Sequence, residues 1–247
     1  MSKKPESFGP IAPHYDVLMR SVPYDMWLSY YQLLLAQQEV YPEKLLDVCC
    51  GTGTLCEKIA ALGYSVAGID LSAAMIERAR AKAKELELDI RYEAVDAAEF
   101  DLGERFEAAY SFFDSFNYIT DLGHLQKALH RIAHHLKPGG SLVFDLNTSY
   151  AFEEKMFDQE DRRKKSPIQY KWKGDYNPTS RIIHVTMDFW IDGENFQEVH
   201  VQRAHSQEEI FEMLKVAGFH QIACYDSYTL EPPRKRSDRI HFTAIRE

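Results

Sequence analysis

The stretch LLDVCCGTGTL, residues 45–55, places an acid and two glycines directly after an apolar run. Residues 44–50 are typical of a buried strand, and TLCEKIAALG (54–63) is typical of a helix that ends at Gly63. The glycines therefore form a turn between a strand and a helix. Such a turn can hold a small charged ligand, and the acids around it decide which one.

The alternation of strand and helix continues beyond this turn. We expect further strands over 65–71, 90–97, 106–115 and 141–147, a helix capped by Ser72, and a helix over 122–140 that ends at Pro-Gly-Gly. Alternating strands and helices predict βαβ units and a parallel sheet. Ligands of such sheets bind at the carboxyl ends of the strands, where the turns lie.

The pattern changes after about residue 150. Residues 151–166 are charged and predict a loop with some helix, whereas 168–176, 180–192 and 196–206 carry β-branched and aromatic residues with partial alternation. These segments predict an antiparallel meander. The sheet pattern then resumes with a helix over 206–219 and two last strands, 220–226 and 239–247. The helix begins with the capping-box pair Ser206 and Glu209.

The glycine turn departs from a dinucleotide-binding turn at its third position. A dinucleotide site has a third glycine, but this chain has Cys56 there. Asp47, at the end of the first strand, would repel a pyrophosphate and would suit an ammonium group. The side chain of Asp70, after the second strand, can accept hydrogen bonds from ribose hydroxyls, and that of Asp96, after the third, from an exocyclic amine. Together these features describe S-adenosylmethionine.

Four motifs together resemble the class I S-adenosylmethionine-dependent methyltransferases: LLDVCCGTG, GIDLSAAM, VDAAEF and LKPGGSLVFD. The resemblance covers 44–147 by motif and 206–246 by topology. The segments 15–27 and 239–247 further resemble a small bacterial cytosolic subgroup whose layout is similar to that of sugar-amine N-methyltransferases.

The resemblance implies an α/β fold: a Rossmann-like, seven-stranded, mostly parallel sheet with helices on both faces and an inserted antiparallel β meander acting as a lid. The expected domains are an N-terminal helical segment (1–40), an S-adenosylmethionine-binding domain (41–150 and 206–247) and a substrate lid (151–205).

The resemblance also implies which residues bind the cofactor: Tyr15, Tyr24, Asp47, Cys49, Gly51, Gly53, Asp70, Leu71, Met75, Asp96, Ala97, Phe112 and Phe113. By this resemblance, Asp47 and the backbone of the glycine turn hold the methionine part of the cofactor. Asp70 holds its ribose, and Leu71 and Met75 line its adenine. Cys49 departs from the pattern, since many relatives have glycine there. Structural roles remain open for some of these residues: Asp96 as a turn acid, Met75 as a core residue.

Methyl transfer from a sulfonium is an in-line displacement that depends mainly on proximity and alignment. An amine acceptor must be deprotonated first, and a side chain can assist. The candidates for this role are Tyr15, Asp114, Asn117, Asp145 and His200. The residues alone do not choose among them, and they leave open whether a general base is used. No cluster has metal-ligand spacing, so we expect no metal.

The composition bears on partners and location. A formal net charge of −9 argues against a protein that coats nucleic acid, and a small-molecule acceptor is favoured. Four cysteines without a paired pattern, no apolar leader and no long apolar run predict a cytoplasmic protein without membrane partners. The sequence leaves open whether the protein is a monomer or a homodimer. Two alternatives remain open: a nicotinamide-dependent oxidoreductase, and a protein that binds the cofactor without catalysis. The acceptor and the methylated atom are also open.

Overall fold

The computed structural model describes residues 8–247, so the first seven residues of the expected N-terminal segment lie outside the described residues. After a 3₁₀ turn over Ala12–His14, the chain forms the short helix α1 (Tyr15–Leu18) and the longer helix α2 (Tyr24–Gln37). Helix α2 buries Trp27, Tyr31 and Leu34 at helical spacing. It therefore packs onto the body of the protein.

Seven strands form the first sheet: β1 (Lys44–Val48), β2 (Ser65–Asp70), β3 (Arg91–Ala94), β4 (Phe106–Ser111), β5 (Leu136–Asn147), β10 (Phe219–Asp226) and β11 (Arg239–Arg246). Their order is β10-β11-β5-β4-β1-β2-β3. Only β11 runs antiparallel to its neighbours. The predicted seven-stranded, mostly parallel sheet is confirmed, and the carboxyl ends of β1 to β4 meet at one edge.

Helices cover both faces of this sheet. One face packs against α5 (Leu122–His135) and α7 (Gln207–Val216), and the other against α2, α3 (Thr54–Ala61) and α4 (Ala73–Glu85). The predicted caps are present, since Ser72 caps α4 and Ser206 and Glu209 form the capping box of α7.

The helix predicted over 122–140 is shorter than expected. Helix α5 ends at His135, and β5 begins at once with Leu136. Pro138 disfavours helical backbone at the residue before it, and Gly139 has a positive φ of 78°. His135 at the end of α5 is buried: its ring stacks on Phe100, and its Nε2 accepts a hydrogen bond from the backbone N–H of Leu102.

A separate four-stranded sheet is inserted between β5 and α7. After the short helix α6 (Ser149–Glu153), its strands are β6 (Gln159–Asp161), β7 (Gln169–Asn177), β8 (Ile182–Ile191) and β9 (Glu194–Arg203), all antiparallel. The predicted meander is confirmed, but strand β6 arises in a segment predicted as loop and helix. In β8 the side chains of Val185, Met187 and Phe189 alternate inward and form one wall of a cluster with Ile11 and Phe152.

Within residues 8–247, no helix is both long enough and apolar enough to cross a bilayer. The four cysteines are free thiols.

Candidate active site

A cavity of about 1170 Å³ lies between the carboxyl ends of β1 to β4, the N-terminal segment and the inserted sheet. Its volume exceeds that of a pocket for one drug-sized ligand, so a cofactor and a small second molecule can share it. The predicted residues that line it are Tyr15, Tyr24, Asp47, Cys49, Gly51, Asp70, Leu71, Met75, Asp96, Ala97, Phe112, Phe113, Asp114 and His200. Gly53, Asn117 and Asp145 do not.

The turn after β1 uses left-handed backbone at three positions. Cys49, Gly51 and Gly53 have φ values of 65°, 55° and 76°. Cys49, a non-glycine residue in this region, therefore carries some backbone strain. A Cβ on Gly51 would meet nothing within 4 Å, whereas one on Gly53 would lie 2.3 Å from the hydroxyl oxygen of Tyr92. Gly51 faces the cavity, and Gly53 allows the turn to pack against β3.

Asp47, the next-to-last residue of β1, carries a buried carboxyl group and is only 4% exposed. The Cys56 thiol donates to its Oδ2 at 3.2 Å. Burial raises the Asp47 pKa to about 7, although the hydrogen bond from Cys56 opposes this. No cation offsets its charge in the described part of the chain. A ligand ammonium would supply that charge.

Asp70 ends β2 and fixes the glycine turn. Its Oδ2 accepts from the N–H of Gly51 at 2.9 Å, and its Oδ1 accepts from the N–H of Ser72 at 2.8 Å. Burial raises the pKa of Asp70, which these two backbone donors counteract in part. Next to it, Leu71 is 67% exposed and Met75 is buried, and both line the cavity.

Asp96 follows β3 and is held by two donors. The ring Nε2 of His124 lies 2.9 Å from each carboxylate oxygen, and the N–H of Ala98 donates to Oδ1 at 2.8 Å. His124, at the start of α5, also lines the cavity. Its side chain is a site residue that the sequence did not indicate.

The segment after β4 has two consecutive non-glycine residues in left-handed backbone, Phe113 (φ 68°) and Asp114 (φ 51°). Such strain concentrates at functional sites. Phe113 packs against Trp27, and Phe112 against Tyr31, so both rings are anchored by α2. The Asp114 carboxylate is bound by Arg239 at 2.9 Å and by the Gln202 amide at 2.8 Å.

Asn117 and Asp145 occupy structural positions. The Asn117 amide donates to the carbonyl oxygens of Asn147 and Arg203 and accepts from the N–H of Asn147. Asp145 accepts from the guanidinium of Arg239 and from the N–H of Asp114. The Asn117 contacts join the inserted sheet to β5, whereas those of Asp145 join β5 to β11 and to the segment after β4. Neither side chain lines the cavity.

The N-terminal segment is bound to the glycine turn, beside the part of the cavity that Asp47, Gly51, Asp70 and Asp96 line (the cofactor half). Asp16 of α1 binds the hydroxyls of Thr52 and Thr54 and the ammonium of Lys82. Its neighbour Tyr15 lines the cavity. Asp16 was not expected from the sequence, because nothing in its local pattern shows that it reaches a turn 36 residues away.

The inserted sheet supplies a buried polar chain at the other end of the cavity. His200 Nε2 lies 2.7 Å from Oε2 of Glu198, and His200 Nδ1 lies 3.0 Å from the hydroxyl of Tyr118. The N–H groups of Phe8 and Ile11 also donate to the Glu198 carboxylate. Tyr118 and His200 both line the cavity.

Comparison with known proteins agrees with this geometry. Residues 45–140 match the family model described as "Methyltransferase domain". A protein of Geobacillus sp. (strain WCH70) named as a "Putative methyltransferase" is 30% identical over 240 residues, which is 93% of this chain and 96% of the relative.

Solved structures show the same similarity. An S-adenosylmethionine-dependent methyltransferase from Clostridium acetobutylicum ATCC 824 superposes with a TM-score of 0.84 at 25% identity, covering 98% of this chain and 99% of the other. CalS10, an amino pentose methyltransferase from Micromonospora echinaspora solved with S-adenosylmethionine bound, gives a TM-score of 0.73 at 21% identity, covering 99% and 100%. At that identity the likeness to CalS10 concerns the fold alone.

Proposed function

This chain belongs to the S-adenosylmethionine-dependent methyltransferases, and we propose that it methylates a small acceptor that carries an amine and no anionic group. The observation that carries the proposal is the charge of the cavity lining. Six aspartates line it, but Arg239 is the only lysine or arginine among the described lining residues. Arg239 is itself bound by Asp114 and Asp145. A phosphate or carboxylate on the acceptor would find no free cation there.

The residues present fit the cofactor. The carboxylates of Asp47 and Asp70 face the cavity without a cationic partner among residues 8–247. A cationic ligand would therefore offset the free-energy cost of burying these two charges. We assign Asp47 to the ligand ammonium and Asp70 to the ribose hydroxyls, with Asp96 and the N–H of Ala97 at the adenine. When bound, S-adenosylmethionine supplies a methyl group on a sulfonium that leaves as a neutral thioether, so no acid is needed at the leaving group.

The protein's own contribution is alignment and exclusion of water. Phe112 and Phe113, fixed by α2, both line the cavity. Trp172, Met187 and Phe189 of the inserted sheet form an apolar roof over the acceptor half. We propose that this sheet acts as the lid, because its buried face and the N-terminal segment enclose the space together. An enclosed space of this size favours a small acceptor over a nucleic acid.

The fold shared with CalS10, which is named as an amino pentose methyltransferase, is compatible with an acceptor that carries an amine. The low identity means that it does not identify the sugar. A lining without a free lysine or arginine accommodates a small amine for the same electrostatic reason that it disfavours an anion.

Matched pairs of acceptors test the proposal. Tyramine is compared with tyrosine, and glucosamine with glucosamine 6-phosphate, because the members of each pair differ by one anionic group. S-adenosylhomocysteine release and the mass of one added methyl are measured. We expect turnover of an amine and at least tenfold less of its anionic counterpart. Turnover of the anionic members alone, or none by protein that binds the cofactor, would overturn the proposed acceptor class.

A further inference from the structure

We propose that Tyr118, His200 and Glu198 form a proton relay that deprotonates the acceptor amine at the Tyr118 hydroxyl. The inference rests on the proposed function, since it gives that function its missing base. It begins from geometry: the three side chains form one hydrogen-bonded chain from the cavity surface into the protein. Glu198 and His200 are 3% and 1% exposed, which is unusual for two ionisable groups in a lid sheet.

The partners of Glu198 fix the direction of the chain. Its carboxylate oxygens are surrounded by donors: the N–H groups of Phe8 and Ile11 and the ring Nε2 of His200. A carboxylate only accepts, so Nε2 carries the proton of the neutral ring. Nδ1 is then left as an acceptor, and the Tyr118 hydroxyl, 3.0 Å away, donates to it.

This arrangement defines a balanced proton transfer. An N–H bond of the acceptor ammonium breaks as an O–H bond forms at Tyr118. The original O–H bond of Tyr118 breaks as an N–H bond forms at His200 Nδ1. The acceptor becomes a neutral amine with a free electron pair, and the imidazolium formed is stabilised by the Glu198 carboxylate 2.7 Å away. No redox partner or metal is needed.

The surroundings keep Tyr118 neutral between transfers. Burial raises the pKa of Tyr118 well above its ordinary value, and the negative charges of Asp114 and Glu198 act in the same direction. Tyr15 of α1 is a further titratable group near Tyr118. The Asp114 carboxylate accepts a hydrogen bond from the Gln202 amide and is also bound by Arg239. Tyr118 therefore serves as a conduit, and His200 receives the proton.

The contacts also explain why the relay sits in the lid. Glu198 and His200 lie two residues apart on β9, so both side chains point to the same face of the strand. Phe8 packs edge-on against the His200 ring at 4.5 Å and holds its plane. The N-terminal segment therefore contacts both residues of the relay that lie on β9.

The first test reads the tautomer directly and needs no acceptor. The full chain, labelled with ¹⁵N-histidine and saturated with S-adenosylhomocysteine, is studied by NMR. We expect His200 to be protonated at Nε2 and to accept at Nδ1, with the Nδ1 signal shifted in Tyr118→Phe and the tautomer lost in Glu198→Gln. A proton on Nδ1, or no change in either variant, would overturn the relay.

The second test uses the amine that is turned over in the acceptor panel. In Tyr118→Phe and His200→Gln we expect kcat to fall by about 10² to 10⁴ at about pH 7, with unchanged affinity for S-adenosylhomocysteine by calorimetry. The loss should shrink as pH rises toward the amine's own pKa, because solvent then removes the proton. His184→Gln, an exposed histidine of the same sheet, is the control and should keep wild-type rates.

The outcomes separate the two proposals. A loss that is equal at all pH values, or accompanied by lost cofactor binding, indicates a structural role and overturns the relay. The expected tautomer without turnover of any amine refutes the acceptor class instead.

Discussion

The carboxylate oxygen Oδ1 of Asp16 lies 2.6 Å from the hydroxyl oxygen of Thr52, so the first helix is tied directly to the glycine turn. Burial alone would raise the Asp16 pKa, but the bonds from Thr52 and Lys82 outweigh it and hold that pKa below its usual value. A lowered carboxyl pKa means that the ionised side chain stabilises the folded protein at neutral pH. This stabilisation is lost as the pH falls through the lowered pKa of Asp16.

Replacing Asp16→Ala should loosen the N-terminal segment over the cofactor half of the cavity. We expect S-adenosylmethionine to bind about tenfold more weakly by calorimetry at neutral pH, which corresponds to about 1.4 kcal/mol. Asp25→Ala is the control, because Asp25 pairs with Lys58 at the exposed surface of α2. Equal affinities of the two variants would show that the contact does not order the site.

Asp47→Asn should stabilise the cofactor-free protein while it weakens cofactor binding. Because burial raises the Asp47 pKa to about 7, the folded chain binds more protons than the unfolded chain between about pH 4 and pH 7. Stability therefore falls as the pH rises through this window, by up to about 4 kcal/mol. An asparagine side chain does not ionise, so Asp47→Asn lacks this loss of stability.

Unfolding in urea at about pH 5 and about pH 8 measures this effect. We expect Asp47→Asn to gain more stability at the higher pH. A gain that is the same at both pH values would mean that ionisation of Asp47 is not its source.

His241 is fully buried between β10 and β5, and neither ring nitrogen has a hydrogen-bond partner among the described residues. Burial, with Arg239 nearby, lowers its pKa to about 3. Below the ordinary histidine value of 6.5 the unfolded chain takes up a proton that the folded chain does not, so stability falls as the pH drops.

His241→Leu should therefore raise the free energy of unfolding by about 1 to 3 kcal/mol at neutral pH, since an unsatisfied buried group is removed. The gain should be larger at about pH 5. His130→Leu on the exposed side of α5 serves as the reference substitution. If His241→Leu is destabilising at both pH values, the ring has a partner or a packing role that outweighs its missing hydrogen bonds.

The sheet and the acids of the cofactor half could be predicted because their signals are local. Asp47 and Asp70 each stand directly after an apolar run, and parallel topology brings the ends of neighbouring strands together. The same argument led to Asn117 and Asp145 as catalytic candidates. Position at a strand end does not show which way a side chain points. The Asn117 side chain binds the backbone of Asn147, and the Asp145 carboxylate binds Arg239.

The acceptor half could be predicted only in part, since its contacts join distant segments. His200 was a candidate from its residue type and its place in the inserted segment, but its partner Tyr118 is 82 residues away in the sequence. Nothing in the local sequence distinguishes Glu198, its other partner, from the other charged residues of the meander. The strand Gln159–Asp161 was missed because two of its three residues are charged and all three have low β-propensity. Its pairing with β7 stabilises it instead.

Calorimetric titration with S-adenosylmethionine and S-adenosylhomocysteine tests the account most directly, on the wild type, Asp70→Asn and Asp89→Asn. Asp89 is an exposed acid outside the cavity and controls for the loss of charge. We predict that Asp89→Asn binds each ligand with the affinity of the wild type, and that Asp70→Asn binds each about 10- to 100-fold more weakly. Folded, ligand-free wild type that binds neither, or Asp70→Asn that binds as tightly as its control, would contradict the assigned cofactor site.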